Sequence, residues 1–146
     1  MLTDSLKILL ASTQSFAIKA QNFHWCVEGS NFLEYHKFYD DLYNDVNGTI
    51  DRIAEYIRIL GSYTPGSLQR YAELTFIQDQ TKIPRAELMF AETLDDIEKM
   101  IQCAITIFNE ATTENEQGVA NFMAELQDLY GKKAWFIRSI LKKGRE

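Results

Sequence analysis

The hydrophobic positions of this sequence recur at steps of three and four residues along four long stretches. This spacing places them on one side of an α-helix, which completes a turn in about 3.6 residues. In the first stretch, residues 2–28, they are Leu2, Leu6, Leu9, Thr13, Phe16, Ala20 and Val27. In the later stretches they are Tyr39, Leu42, Val46, Ile50, Ile53, Ile57 and Leu60, then Leu94, Ile97, Ile101, Ile105 and Phe108, then Val119, Phe122, Leu126, Leu129, Ile137 and Ile140. The sequence therefore predicts four amphipathic helices and no strands.

Helix boundaries are marked by glycines and by capping patterns. Gly29 and Gly61 are predicted to end the first and second helices. The capping-box pair Asn31 with Glu34 is predicted to start the second helix, and the pair Thr113 with Glu116 the fourth. Pro84 suits the first turn of the third helix.

The connection between the second and third helices determines the topology. It contains residues 65–84, which is too long for a tight hairpin, and residues 68–74 within it are predicted to form a short helix. A connection of this length is expected to cross the bundle from end to end. The predicted fold class is all-α, a ferritin-like four-helix bundle with a long crossover connection that carries a short extra helix, in one domain spanning residues 1–146.

Composition and charge narrow the function. The 146 residues carry a net charge of −6, which disfavours a dedicated nucleic-acid-binding protein and favours one that attracts cations. No apolar run approaches the roughly 20 residues needed to cross a bilayer, and the first residues lack the pattern of a signal peptide. The expected location is the cytoplasm, where Cys26 and Cys103 are expected to be reduced and structural.

The candidate chemistry lies in two histidines and three carboxylates. His24 lies near the end of the first predicted helix, and the second helix carries two pairs spaced by four residues, His36 with Asp40 and Asp51 with Glu55. The two pairs cover a stripe roughly 100° wide, centred about 130° from the apolar stripe. Taken singly, such residues more often form a solvated face or a packed histidine. As a mixed nitrogen and oxygen set, they suit iron(II) better than calcium or a thiolate-bound metal.

The two pairs on the second helix cannot bind the same ion within one chain. Asp40 and Asp51 are separated by eleven positions, about 16 Å along a helix axis. If two copies of the helix pack antiparallel about a two-fold axis, His36 and Asp40 of one chain meet Asp51 and Glu55 of the other. Such a dimer would contain two composite sites.

The residues around these positions resemble the signature of the Dps proteins. The spacings from His24 to the other four candidate ligands all agree with that signature, which covers residues 23–61. The resemblance is carried by Phe23-His24-Trp25-Cys26-Val27-Glu28-Gly29, Phe32, His36, Asp40-Asp41-Leu42-Tyr43, Asp51-Arg52-Ile53-Ala54-Glu55 and Leu60-Gly61, with a weaker echo in Lys133-Ala134-Trp135-Phe136.

This resemblance implies a dodecameric shell that oxidises iron(II), with hydrogen peroxide or oxygen as the oxidant. The shell would store iron(III) mineral and protect against oxidative damage. The resemblance further implies a ferroxidase site with iron ligands from two subunits, in which Trp25 either intercepts radicals or packs in the interface. The implied ligands are His24, His36 and Asp40 of one subunit with Asp51 and Glu55 of its two-fold mate.

The resemblance implies a flexible, lysine-rich N-terminal tail in those family members that condense DNA, and this chain departs from that pattern. The only early lysine is Lys7, and the basic C-terminal residues are limited to Lys142, Lys143 and Arg145, so DNA binding is disfavoured. Two alternatives to a ferroxidase remain, a non-enzymatic protein of the same fold that coats DNA and a helical adaptor whose acidic residues are merely solvated.

A second departure concerns the iron entry pore that the resemblance implies on the three-fold axis. The positions where the family tends to carry aspartates are Gln117 and Asn121 here. The nearby Glu114 and Glu116 either replace those aspartates or stabilise the start of the last helix.

Overall fold

The computed structural model describes residues 1–142, and within them it contains six helices and no strand. The helices are α1 (Leu2–Cys26), α2 (Phe32–Asn47), α3 (Ile50–Ile59), α4 (Leu68–Leu74), α5 (Ala86–Thr113) and α6 (Gln117–Lys142). The predicted all-α fold is confirmed. Of the predicted basic end, Lys143 and Arg145 lie outside the described residues. No helix in the described range is long and apolar enough to span a membrane.

The bundle is assembled from two helical hairpins. α1 packs against α2 and α3, α5 packs against α6, and the hairpins meet where α1 contacts α5. All seven predicted core positions of residues 2–28 are buried, and so are four of those in α6, namely Val119, Phe122, Leu126 and Ile137. The hydrophobic period therefore located the core faces of these two helices.

The predicted continuous second helix is wrong, because the chain forms two helices separated at Gly48 and Thr49. The Thr49 hydroxyl donates to the backbone oxygen of Val46 at 2.8 Å. This oxygen would otherwise accept a helical hydrogen bond, so the side chain competes with the helix. Both interrupting residues keep right-handed backbone angles, φ −66° and ψ −12° at Gly48 and φ −92° and ψ −12° at Thr49. The helical rise from Asp40 to Asp51 is therefore largely retained.

The predicted end of the second helical stretch is confirmed. Gly61 has φ +92°, a left-handed conformation that glycine adopts without a steric cost. The amide of Ser62 donates to Ile57 at 3.1 Å and that of Gly61 to Arg58 at 3.0 Å, which closes α3 with a Schellman motif.

The predicted helix starts at Asn31 and Pro84 are only approximately right. Asn31 is the N-cap residue of α2 but makes no side-chain cap, and its side-chain amide nitrogen donates to the Tyr35 hydroxyl at 3.4 Å. Pro84 lies just ahead of α5, which begins at Ala86.

The predicted capping box of Thr113 and Glu116 is wrong. Thr113 is the last residue of α5, and its hydroxyl bonds the backbone oxygen of Asn109 at 3.0 Å. Beyond the helix, Asn115 adopts a left-handed conformation with φ +60°, and the amide of Glu116 donates back to the backbone oxygen of Ala111 at 2.8 Å. These contacts form a C-terminal cap, so the local pattern marks the end of α5 and not the start of α6.

The predicted core stripe of the third long helix is largely wrong. Of its five positions only Ile97 is fully buried, whereas Leu94, Ile101, Ile105 and Phe108 are half-buried at the edge of the buried face. The centre of that face is formed by Met89, Phe90, Thr93, Asp96, Ile97, Met100, Ala104, Ile107 and Ala111. Several of these residues are polar or small, so they contribute little to a hydrophobic pattern.

The long connection crosses the bundle as predicted and carries the predicted short helix α4. After α4, the amide of Phe76 donates to Ser12 Oγ at 3.1 Å, and Lys19 Nζ donates to the backbone oxygen of Gln78 at 2.9 Å. Ser12 and Lys19 are about 10 Å apart along α1. The connection therefore runs along α1, which confirms the ferritin-like topology.

Candidate metal centre

Two histidines meet where α1 turns into α2. His24 lies in the last turn of α1 and His36 in the second turn of α2. His24 Nδ1 is 2.9 Å from the backbone oxygen of His36, and His36 Nδ1 is 2.7 Å from the backbone oxygen of His24. Each side chain therefore bonds the other residue's backbone in a reciprocal pair.

These hydrogen bonds determine which imidazole nitrogen is available to a metal. A carbonyl oxygen only accepts, so each Nδ1 carries a proton and donates it. In the neutral imidazole Nε2 then has a free lone pair, the state in which histidine binds metals. Stacking holds the ring planes, since the centroids of His24 and His36 are 4.0 Å apart with 16° between the planes, and Phe32 stacks on His36 at 5.0 Å.

Asp40, one turn after His36, brings a carboxylate to the histidines. Its Oδ1 is 3.9 Å from His24 Nε2. This distance is too long for a hydrogen bond, yet it fits two ligands of one ion with bonds of about 2.1 Å each. Asn44 Nδ2 donates to the same oxygen at 3.1 Å and so orients the carboxylate. Asn44 was not among the candidate residues, although its position four residues after Asp40 is a usable signal.

The second carboxylate pair lies apart from the histidines in the same chain. Asp51 and Glu55 are exposed and one turn apart on α3, and neither makes a hydrogen bond or ion pair within residues 1–142. No three His, Cys, Asp or Glu side chains in that range converge to hold a metal ion. One chain thus brings Asp40 near His24, on which His36 stacks, without completing a metal site, and it presents the carboxylate pair elsewhere. Their union in a composite site stays a prediction.

The tryptophan that follows His24 in the sequence is largely exposed to solvent. Trp25 follows His24 near the end of α1, and 63% of its surface is exposed. Both of its predicted roles, radical interception and packing in a subunit interface, stay predictions.

The positions that correspond to the expected pore lie at the start of α6. Gln117 is its first residue, and Asn121 donates to Glu125 at 3.2 Å. Glu114 caps the end of α5, and Glu116 is half-buried beside it. The segment therefore holds neutral side chains where the resemblance implied aspartates, and the iron path stays a prediction.

A buried charge cluster joins α1 to α5 near the candidate ligands. Lys19, which is 6% exposed, bonds the carboxylate of Glu92, that of Asp96 at 2.7 Å and the backbone oxygen of Gln78. The hydroxyl of Tyr39, the residue before Asp40, forms a 2.9 Å hydrogen bond with the hydroxyl of Thr93, which lies between Glu92 and Asp96 in the sequence. These contacts therefore link α1, α2 and α5.

The two carboxylates of this cluster have different environments. Burial raises the pKa of Asp96, and bonding from Lys19 offsets only part of that rise. Burial also raises the pKa of Glu92, but hydrogen bonds from Lys19 and Gln80 outweigh this effect and hold the pKa below its usual value. Lys19 thus forms ion pairs with two carboxylates, of which that of Asp96 is the more deeply buried.

Comparison with known proteins gives consistent similarities. Residues 3–146 match the model of the ferritin-like domain family. The DNA protection during starvation protein 2 of Bacillus anthracis is 28% identical over 123 residues, covering 84% of each chain. The crystal structure of Dps from Staphylococcus aureus superposes with a TM-score of 0.92 at 25% identity, covering 96% of this chain and 94% of that one. A Dps protein from Vibrio cholerae, described as a member of a broad superfamily of ferritin-like diiron-carboxylate proteins, gives 0.92 at 24% identity, covering 97% and 89%.

Proposed function

Because this chain belongs to the ferritin-like domain family and, within it, to the Dps proteins, we propose that it oxidises iron(II) and stores iron(III) mineral. The working form would be a dodecameric shell in the cytoplasm that protects against oxidative damage. Each site would combine His24, His36 and Asp40 of one subunit with Asp51 and Glu55 of its two-fold mate.

The reciprocal hydrogen bonds between His24 and His36 are the observation that carries this proposal. They hold both rings in the tautomer that leaves Nε2 unprotonated, with one of these nitrogens 3.9 Å from the Asp40 carboxylate. A histidine packed only for stability has no need of this arrangement, whereas metal-binding histidines commonly donate their second nitrogen to a fixed acceptor.

Exposed apolar residues support the pairing of two subunits. Trp25 and Leu33 lie near the histidines in sequence and are 63% and 75% exposed, and Ile59, the last residue of α3, and Tyr63, four residues later, are 74% and 79% exposed. In an antiparallel pair the first group of one chain approaches the second group of the other. Burying both groups would exclude water from each side of the composite site.

The proposed reaction treats iron as a substrate. Each of two iron(II) ions gives one electron to hydrogen peroxide, and the O–O bond breaks without releasing a hydroxyl radical. With two waters, the products are two units of iron(III) oxide hydroxide and four protons. Asp40, Asp51 and Glu55 would neutralise and orient the iron, and the imidazoles would keep it electron-rich enough to be oxidised.

Activity with peroxide tests the proposal directly. Purified protein given iron(II) and hydrogen peroxide should develop the absorbance of iron(III) mineral faster than buffer does, and the mineral should stay soluble after centrifugation. Bovine serum albumin at equal mass serves as the control for non-specific binding. Oxidation at the rate of buffer, with a precipitate of iron, would exclude a ferroxidase function.

The DNA-coating alternative predicts tight DNA binding, and we expect little. A net charge of −6 provides few cations to neutralise phosphates. In a gel-shift assay at physiological salt and neutral pH, the protein should leave duplex DNA unshifted at micromolar concentration. Residual binding should weaken steeply as salt rises. A tight complex that survives removal of residues 142–146 would favour the coating function instead.

A further inference from the structure

The helix that carries Asp51 and Glu55 needs support from outside itself. α3 has only ten residues and is separated from α2 by Gly48 and Thr49. A helix of this length is marginal in isolation, so its position depends on tertiary contacts. Ile53 and Ile57 provide an apolar anchor in the core. Apolar contacts alone are not directional, and they leave the rotation of a short helix loosely defined.

Arg52 provides a directional contact from α3 to α6. Its guanidinium lies 4.2 Å from the centroid of the Phe122 ring, and it makes two hydrogen bonds to the Glu125 carboxylate at 3.2 and 3.4 Å. Phe122 is itself buried, so the arginine rests on a fixed surface. A planar guanidinium that stacks and bonds in this forked way defines an orientation as well as a distance.

Tyr56 makes a second contact one turn later on the same side of α3. Its hydroxyl donates to the backbone oxygen of Gly118 at 3.1 Å, and its ring lies 5.9 Å from that of Phe122. The approach is close, since a side chain on Gly118 would begin 3.4 Å from the tyrosine hydroxyl. Arg52 and Tyr56 together form what we call the α3–α6 clamp.

We propose that the α3–α6 clamp positions Asp51 and Glu55 for iron, with Arg52 and Tyr56 acting as positioning residues that do not touch the metal. Each clamp residue directly follows a carboxylate in sequence, so it sits about 100° around the helix from it. Fixing one face of α3 against α6 therefore fixes the direction in which the other face presents its acids. This inference rests on the proposed function for its activity readout, but the clamp itself can be tested without iron.

The energetics separate positioning from stability. Arg52 and Glu125 are 44% and 52% exposed, and ion pairs with this exposure contribute at most about 1 kcal/mol. Loss of the pair should therefore change the thermal unfolding temperature little. A displacement of ligands by about 1 Å, in contrast, is enough to cost a site up to about 100-fold.

The test compares Arg52→Ala, Arg52→Lys and a matched control, Arg70→Ala. Arg52→Ala should raise the KM for iron(II) about tenfold through misplaced ligands. The maximal rate should fall less. Arg52→Lys keeps the charge but lacks the planar fork, so it should show most of the same rise. Arg70 also pairs with a carboxylate, that of Glu73, and the two are 50% and 46% exposed, but both lie within α4, so the loss of Arg70 should leave KM unchanged.

Two outcomes of these kinetics would overturn the positioning role. A lower maximal rate with an unchanged KM would indicate only fewer folded sites, and a wild-type KM in Arg52→Lys would indicate an effect of charge alone. If the wild-type protein does not oxidise iron, the kinetics cannot test the clamp. Hydrogen–deuterium exchange of the iron-free protein then tests it. Arg52→Ala should speed amide exchange in residues 50–56 and Arg70→Ala should not, whereas equal exchange of these residues in all variants refutes the clamp.

Discussion

Replacing Lys19 with methionine should destabilise the fold by about 3–5 kcal/mol at pH 7, because it leaves buried carboxylates without a counter-charge. Lys19 and Asp96 are each 5% exposed in their side chains, so water cannot replace the ammonium group at Asp96, whereas Glu92 is 30% exposed and is only partly shielded. Methionine has a similar volume, which keeps the cavity contribution small. Urea denaturation followed by helical circular dichroism, at one fixed protein concentration, measures the change.

The destabilisation should shrink as the pH falls. Without the ammonium group, burial would raise the pKa of both Asp96 and Glu92 in the folded state above that in the unfolded chain. The cost is then fully present above the raised pKa and disappears as both acids become protonated in either state. Comparing the two proteins at pH 7 and near pH 4.5 should therefore show the gap in stability narrowing.

Lys133→Met is the matched control for this prediction. Lys133 is also buried, but it pairs with a single acid, Asp45, at 2.9 Å, and the Asp45 side chain is 47% exposed. After the change Asp45 can be hydrated, so the loss should be only about 1 kcal/mol. Equal losses at Lys19 and Lys133 would mean that the two acids of the cluster are not the source of the cost.

The same cluster explains why part of the core was not predictable from sequence. Asp96 and Thr93 lie at the centre of the buried face of α5 because Lys19 and Tyr39 bond them from α1 and α2. Neither residue contributes a hydrophobic signal, so the period selected the half-buried edge of α5 instead. On α1 the buried positions are mostly apolar, and there the period was sufficient. Local patterns thus located the helices, while long-range polar partners decided which side of α5 was buried.

The interruption of the second helix has a local signal in the sequence. Asn47-Gly48-Thr49 contains the Asn-Gly pair that is typical of turns, and the apolar stripe continued across it. At the candidate site, the spacing of four residues correctly placed Asp40 one turn from His36. The hydrogen bonds between His24 and His36 could not be predicted, because they depend on the conformation of residues 27–31, which connect α1 to α2. The partner of Arg52, Glu125, could not be predicted either, since only the folded bundle brings the two residues together.

Two inactive variants should restore activity to each other if each site is shared between subunits. One variant carries His36→Ala and Asp40→Ala, and the other carries Asp51→Ala and Glu55→Ala. Each alone lacks half the ligands at every site and should be nearly inactive. The two halves cannot serve one ion within a chain, because about 16 Å of helix separates Asp40 from Asp51.

In a mixed dimer of these variants both lesions fall in one composite site, and the other site keeps all of its ligands. Dissociating and reassembling the two proteins together should therefore restore about half the wild-type rate per mixed dimer, as two-fold symmetry requires. Each variant reassembled alone is the control and should stay inactive. A site within one chain predicts no recovery, since every chain carries a lesion. If mass spectrometry finds mixed dimers and iron oxidation does not return, the shared site is wrong, and His24, His36 and Asp40 must act without Asp51 and Glu55.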